Sequence, residues 1–109
     1  MNKEEKKEYI KKLFFLVLTG TEENCLIVET FIESLNLHDD FLTAAEKEIK
    51  IMRAKKSFIE SQVVFNKNVS YLENLQTAGE IGADIMNLKA FLSIHVKKEK
   101  PQPEEGAKT

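Results

Sequence analysis

Residues 40–76 read DFLTAAEKEIKIMRAKKSFIESQVVFNKNVSYLENLQ, and this stretch decides the fold. Apolar residues recur in it every seven positions, as pairs and then singly, at Ala44-Ala45, Ile51-Met52, Phe58-Ile59, Phe65 and Leu72. A seven-residue apolar repeat is typical of an α-helix that packs along a seam with other helices. The stretch contains no glycine or proline. We therefore predict a helical structure for all of it.

The length of this stretch raises the question of one helix or two. A continuous helix would be about 55 Å long at 1.5 Å per residue, which exceeds the diameter of a small globule. Asn66, Asn68 and Asn74 are weak helix formers and mark the alternative, a break followed by a second helix. We favour one long helix. Phe58 is central in the series, so we expect it to be buried and Phe58→Ala to cost about 3–5 kcal/mol.

Three further helices flank this stretch. Apolar residues at helical spacing predict a first helix that ends before Gly20 and a second from Glu22 to Asn36, with Thr21 as its N-cap. Thr77-Ala78-Gly79 and Gly82 are interpreted as punctuation before a fourth helix that carries Ile81 to Val96. The predicted fold class is all-α, a four-helix bundle-like arrangement with a long third helix.

The chain is long enough for one domain. We predict a helical domain over residues 1–98 and a flexible polar C-terminal tail over residues 99–109. The tail includes PQPEEGAKT, which is poor in apolar residues and holds both prolines of the chain. Deleting it should leave the melting temperature nearly unchanged.

Charge is balanced overall but unevenly distributed. The 16 basic and 18 acidic residues give a net charge of −2, which argues against a general nucleic-acid binder. Between Leu13 and Glu46 there are acids but no lysine or arginine, and a basic cluster follows at Lys47, Lys50, Arg53, Lys55 and Lys56. Two interpretations stay open. Either the charges are solvated or complement each other within the bundle, or the basic cluster contacts phosphates or an acidic partner.

The residues that could carry chemistry are few. Cys25 is the single cysteine and lies in an apolar helical run, with no zinc-binding or disulfide partner. His38, Asp39 and Asp40 are adjacent, and we interpret the aspartates as helix-capping residues rather than metal ligands. The sequence shows no phosphate-binding glycine loop and no serine–histidine–acid set. We therefore predict no enzymatic activity, no cofactor and no metal site.

These observations favour a small helical protein–protein interaction module that acts as an adaptor, regulator or assembly factor. We expect a homo-oligomer, a protein partner or both, and the candidate oligomer interface is Phe58, Ile59, Phe65, Val69 and Leu72. The alternative is a nucleic-acid-associated accessory protein that uses Lys47–Lys56, displayed on an oligomeric ring. A membrane-surface role for Lys3–Leu18 is less favoured because the charge there is mixed. With no signal peptide or membrane-spanning run, we expect a cytoplasmic location.

Overall fold

A computed structural model describes the backbone of residues 1–65 and 71–96, and the side chains of residues 1–62 and 71–96. Four α-helices follow one another: α1 (Lys3–Leu18), α2 (Glu22–Ser34), α3 (His38–Phe65) and α4 (Tyr71–Phe91). A terminal π-helix (Leu92–Val96) continues from α4. The described ranges contain no strand, and α3, with 28 residues, is the longest helix. The predicted fold class is confirmed.

Local signals set the ends of α1 and α2. The Asn2 side chain accepts a hydrogen bond from the Glu5 amide while the Glu5 carboxylate accepts one from the Asn2 amide, which forms a capping box at the start of α1. Gly20 follows α1 with a φ of 75°, a left-handed conformation that glycine adopts without strain. Thr21 is the N-cap of α2, and its hydroxyl accepts a hydrogen bond from the Asn24 amide. The predictions for Gly20 and Thr21 are confirmed.

A Schellman motif connects α2 to α3. Asn36 adopts a φ of 55°, and its amide donates to the Glu33 carbonyl. The Leu37 amide donates to the Ile32 carbonyl at 2.9 Å, and the Leu37 side chain is buried. Because α3 begins at His38, Asp39 and Asp40 lie in its first turn, where negative charge suits the helix dipole. They are therefore not the capping residues that the sequence suggested.

The interpretation of residues 40–76 as one helix is wrong. α3 ends at Phe65 and α4 begins at Tyr71, and the two helices pack side by side over much of their length. They run antiparallel, since Phe41 contacts Phe91 while Lys56 lies against Gly82. Because α4 packs back along α3, it covers apolar surface of α3 that would stay exposed on a single long helix. The break predicted at Asn66–Asn68 falls outside the described residues.

Gly79 and Gly82, which were predicted to precede the fourth helix, lie inside α4. An alanine side chain at Gly79 would meet no atom within 4 Å, so nothing there demands glycine. At Gly82 the added carbon would lie 3.2 Å from Cε of Lys56, so this glycine sits where α3 and α4 approach closely. Isolated glycines weaken a helix by about 1 kcal/mol each, and packing against α3 offsets that cost here.

The core lies at one end of the molecule and centres on Phe41. The Phe41 ring makes edge-to-face contacts with Phe14 and Phe91, at centroid distances of 5.2 and 5.4 Å. Around them, all four helices and the π-helix contribute buried apolar residues, among them Leu13, Val17, Val28, Ile32, Ala45, Ile49, Met52, Leu88 and Val96. Most of the fold's hydrophobic stabilisation comes from this cluster.

The burial predicted for Phe58 is wrong, because its side chain is 64% exposed. In α3 the second members of the apolar pairs face the core: Ala45 and Met52 are buried and Ile59 is half-buried. Ile51 and Phe58, the first members of the later pairs, face away from the core and are exposed, whereas Ala44 is half-buried against it. Helix length adds to the exposure at the far end of α3, where even Ile59 is not fully buried. α3 spans about 42 Å whereas α1 and α2 span about 24 and 20 Å, so they cannot cover its far half.

That far half forms a structural unit with the start of α4. We call residues 53–62 of α3 and residues 71–77 of α4 the distal hairpin; no side chain in these two ranges is buried. The predicted tail and the end of the predicted domain, residues 97–109, lie outside the described residues. Among the described helices, none is long and apolar enough to cross a membrane.

Candidate interaction surfaces

A basic groove runs between the outer side of α3 and the junction of α4 with the π-helix. Its cations are Lys47, Lys50 and Arg53 from α3 and Lys89 from α4. The α3 cations are three residues apart, so they follow one another along one side of the helix. The remaining lining residues are Thr43, Glu46, Ile49, Leu92 and Ser93, and the groove has a volume of about 730 Å³.

The floor of the groove is apolar and its rim is charged. Ile49 and Leu92 are buried members of the core cluster, whereas Lys47, Lys50, Arg53 and Lys89 are all exposed. These four cations form no ion pair with a described residue. Such a groove suits a ligand that presents carboxylates or phosphates beside an apolar group.

The five cations predicted as one cluster are divided among three places. Lys47, Lys50 and Arg53 share the basic groove. Lys55 lines a separate shallow groove. Lys56 pairs with Glu60 at 2.7 Å and lies against Gly82, at the crossing of α3 and α4.

Lys89 was missed by the sequence analysis. It is the only lysine or arginine between residues 71 and 96, which could have drawn attention to it. Lys89 is far from the α3 cations in the chain, so the sequence does not show that they are close in space. The antiparallel packing of α3 and α4 brings them together.

The outer side of α2 carries the opposite charge. Glu22, Glu23 and Glu33 are exposed and form no ion pair with a described residue. Leu26 and Ile27 are partly exposed beside them, at 49% and 40%. In the described structure these acids do not pair with the basic groove, so the two charged surfaces do not neutralise each other within one chain.

The distal hairpin exposes apolar side chains. Phe58 and Ile59, together with Ala54 and Lys55, line a shallow groove of about 350 Å³. On α4, Leu72 is 75% exposed, and Tyr71 and Leu75 are exposed beside it. Three of the five residues predicted as an interface, Phe58, Ile59 and Leu72, therefore lie in the distal hairpin. The side chains of Phe65 and Val69 fall outside the described residues.

His95 makes the connection between the π-helix and α2. Its Nδ1 lies 2.8 Å from Oε1 of Glu29, and both side chains are only 14% exposed. The ring also stacks on Phe91 at a centroid distance of 5.0 Å. This contact ties the end of the chain's described part to the bundle, which is a structural role.

The other candidate residues show no assembled site. Burial, and then the nearby Glu22 carboxylate, raise the pKa of the Cys25 thiol, which disfavours the nucleophilic thiolate at neutral pH. Asp40 forms an ion pair with Lys6 at 3.1 Å, so it links α3 to α1. Within residues 1–65 and 71–96, no group of three or more histidine, cysteine or acidic residues is placed to hold a metal ion.

Comparison of the chain with protein-family models, curated proteins and solved structures found no match. The basic groove and the distal hairpin are the two surfaces that bear on function.

Proposed function

We propose that this protein is a non-enzymatic protein–protein interaction module that assembles with a second copy of itself through the distal hairpin. One observation carries the proposal: Phe58 and Leu72 are mostly exposed although the sequence pattern places them in a helix seam. A large apolar side chain held out in water on a rigid helix is an unfavourable arrangement for an isolated chain. Large exposed apolar surface usually marks an interface.

Two copies of the chain can bury these side chains by packing their distal hairpins against each other in a symmetric dimer. If the distal hairpins of two chains pack together, they form a four-helix arrangement in which each supplies the layer that α1 and α2 provide at the core end. Phe58, Tyr71, Leu72 and Leu75 expose on the order of 400 Å² of apolar area per chain, by the area typical of such side chains. A standard interface buries roughly 800 Å² per partner. The described residues supply about half of that, which is the size of a weak or transient interface.

The experiment is a mass measurement by light scattering across micromolar concentrations. The wild-type chain should approach twice its 12.5 kDa mass. The double variant Phe58→Asp/Leu72→Asp should stay at the monomer mass, since it places charges in the apolar contact. Phe15→Asp is the matched control, because Phe15 is 72% exposed but lies on α1. A wild-type chain that stays monomeric at all concentrations would contradict the proposal.

The second candidate is a nucleic-acid-associated accessory protein. The observation that favours it is the set of four cations around the basic groove, with one acid, Glu46, among the lining residues. Against it, none of the described residues that line the groove is aromatic, so they give bases no stacking surface. A salt-dependent mobility shift with DNA or RNA that the groove cations control would support this candidate.

A further inference from the structure

We propose that the basic groove is a second assembly site, which binds the acidic outer side of α2 from another copy of the chain. The groove shares only Arg53 with the distal hairpin, and the proposal does not depend on contact between distal hairpins. Its basis is that one chain carries two surfaces of opposite charge, each with an apolar component, that do not meet each other within the described fold.

The two surfaces match in chemistry. The groove offers Lys47, Lys50, Arg53 and Lys89 around an apolar floor. The outer side of α2 offers carboxylates at Glu23 and Glu33, with Leu26 and Ile27 between them. A helix whose charged side chains meet a rim of opposite charge is a common mode of recognition.

The cationic rim is shorter than the acidic side of α2. Glu23 and Glu33 are ten residues apart, which is about 15 Å along α2. Lys47 and Arg53 span about 9 Å along α3, and Lys89 widens the cationic rim across the groove. Because lysine and arginine side chains are long and flexible, the cations of this rim can still reach carboxylates at both ends of α2.

The alternative ligand, a nucleic acid, uses the groove less completely. Phosphates would satisfy the cations, but none of the described lining residues is an aromatic on which a base could stack. An acidic helix needs only the cations. The chain itself displays such a helix side, at the same concentration as the groove.

The geometry of this contact differs from that of the distal hairpin. Two different surfaces meet, so the contact is heterologous and propagates head to tail into a ring or a filament. A dimer through the distal hairpin is instead isologous and stops at two chains. The two proposals can therefore fail separately.

The test uses full-length chains that carry Phe58→Asp/Leu72→Asp, so that the distal hairpin does not contribute. The groove variant adds Lys50→Glu/Arg53→Glu, and the α2 variant adds Glu23→Lys/Glu33→Lys. Light scattering at low salt should show the parent chain growing beyond the monomer mass with concentration. Each variant alone should associate at least tenfold more weakly, because like charges then face each other.

Mixing the two variants gives the decisive result. The intact α2 of the groove variant should bind the intact groove of the α2 variant, and the two reversed surfaces should bind each other, so the mixture should assemble beyond the monomer although neither variant does so alone. A chain that combines all four reversals should regain self-association, since both surfaces have exchanged sign. The matched control is Lys7→Glu/Lys11→Glu, which makes the same charge change on exposed residues of α1 and should leave association unchanged.

Several results would overturn the proposal. One is a parent chain that stays monomeric at every concentration. Another is a mixture that stays monomeric. A third is association that survives in the groove variant unchanged. Binding of a single-stranded DNA oligonucleotide that the groove variant abolishes, without any self-association, would reassign the groove to nucleic acid. Circular dichroism confirms that each variant is folded, and Lys50→Ala/Arg53→Ala replaces the groove variant if the reversal unfolds the chain.

Discussion

Replacing Phe41 by alanine should lower the free energy of unfolding by about 3–5 kcal/mol, the range for removing a fully buried phenylalanine. Phe41 has no exposed surface and lies between the rings of Phe14 and Phe91. Edge-to-face ring pairs contribute about 0.5–1.5 kcal/mol beyond their buried area, which places the loss in the upper part of the range. Because small domains are stable by about 5–15 kcal/mol in total, this is a large fraction.

Phe58→Ala is the matched comparison, since it removes the same side chain from the same helix. Phe58 is mostly exposed, and full burial of a phenylalanine contributes about 1.5–3 kcal/mol. The buried third of its surface should therefore contribute less than about 1 kcal/mol. The two substitutions should differ by about 3 kcal/mol, or roughly 12 °C in melting temperature for a domain of this size.

Urea unfolding followed by circular dichroism measures both variants. The protein concentration should be low, because assembly would stabilise the folded chain and obscure the comparison. Phe41→Leu is a useful control, since it nearly conserves volume and should cost about 1.5 kcal/mol or less. Equal losses from Phe41→Ala and Phe58→Ala would refute the placement of the core at one end of α3.

Three further predictions test other parts of the structure. Gly79→Ala should raise the free energy of unfolding by about 0.5–1 kcal/mol in thermal or urea unfolding, because Gly79 lies inside α4 with open space around it; a loss would mean that this position is not helical. Burial and then the Glu80 charge raise the pKa of Asp84, so ionised Asp84 weakens the fold once the pH rises above that pKa. Asp84→Asn should accordingly raise the melting temperature at pH 7 and lose this advantage below about pH 3.9, the pKa of free aspartate; an equal gain at both pH values would refute the assignment. His95→Ala should cost about 1–3 kcal/mol in urea unfolding by removing the contact with Glu29, and a neutral result would show that this contact does not hold the π-helix to α2.

The sequence by itself determined where α1 ends and where α2 begins, although α2 ends at Ser34 rather than at the predicted Asn36. Those boundaries depend on interactions within a few residues, such as the Thr21 hydroxyl with the Asn24 amide and the left-handed turn at Gly20. It also determined that the chain is helical, since apolar spacing is a local property. Half of the seven-residue series was informative for the same reason: Ala45 and Met52 do face the core.

The tertiary structure decided which side chains are exposed and which distant residues come together, and the seven-residue apolar series does not determine either. Whether Phe58 is buried depends on which side of α3 the other helices cover and on how far along α3 they reach. Whether Lys89 joins Lys50 in one groove depends on the antiparallel return of α4. The same return places Gly82 inside a helix rather than at its boundary. Local sequence determines the helices because the backbone hydrogen bonds of a helix join residues that are close in the chain. Which side chains stay exposed depends instead on how helices that are distant in the chain pack on one another.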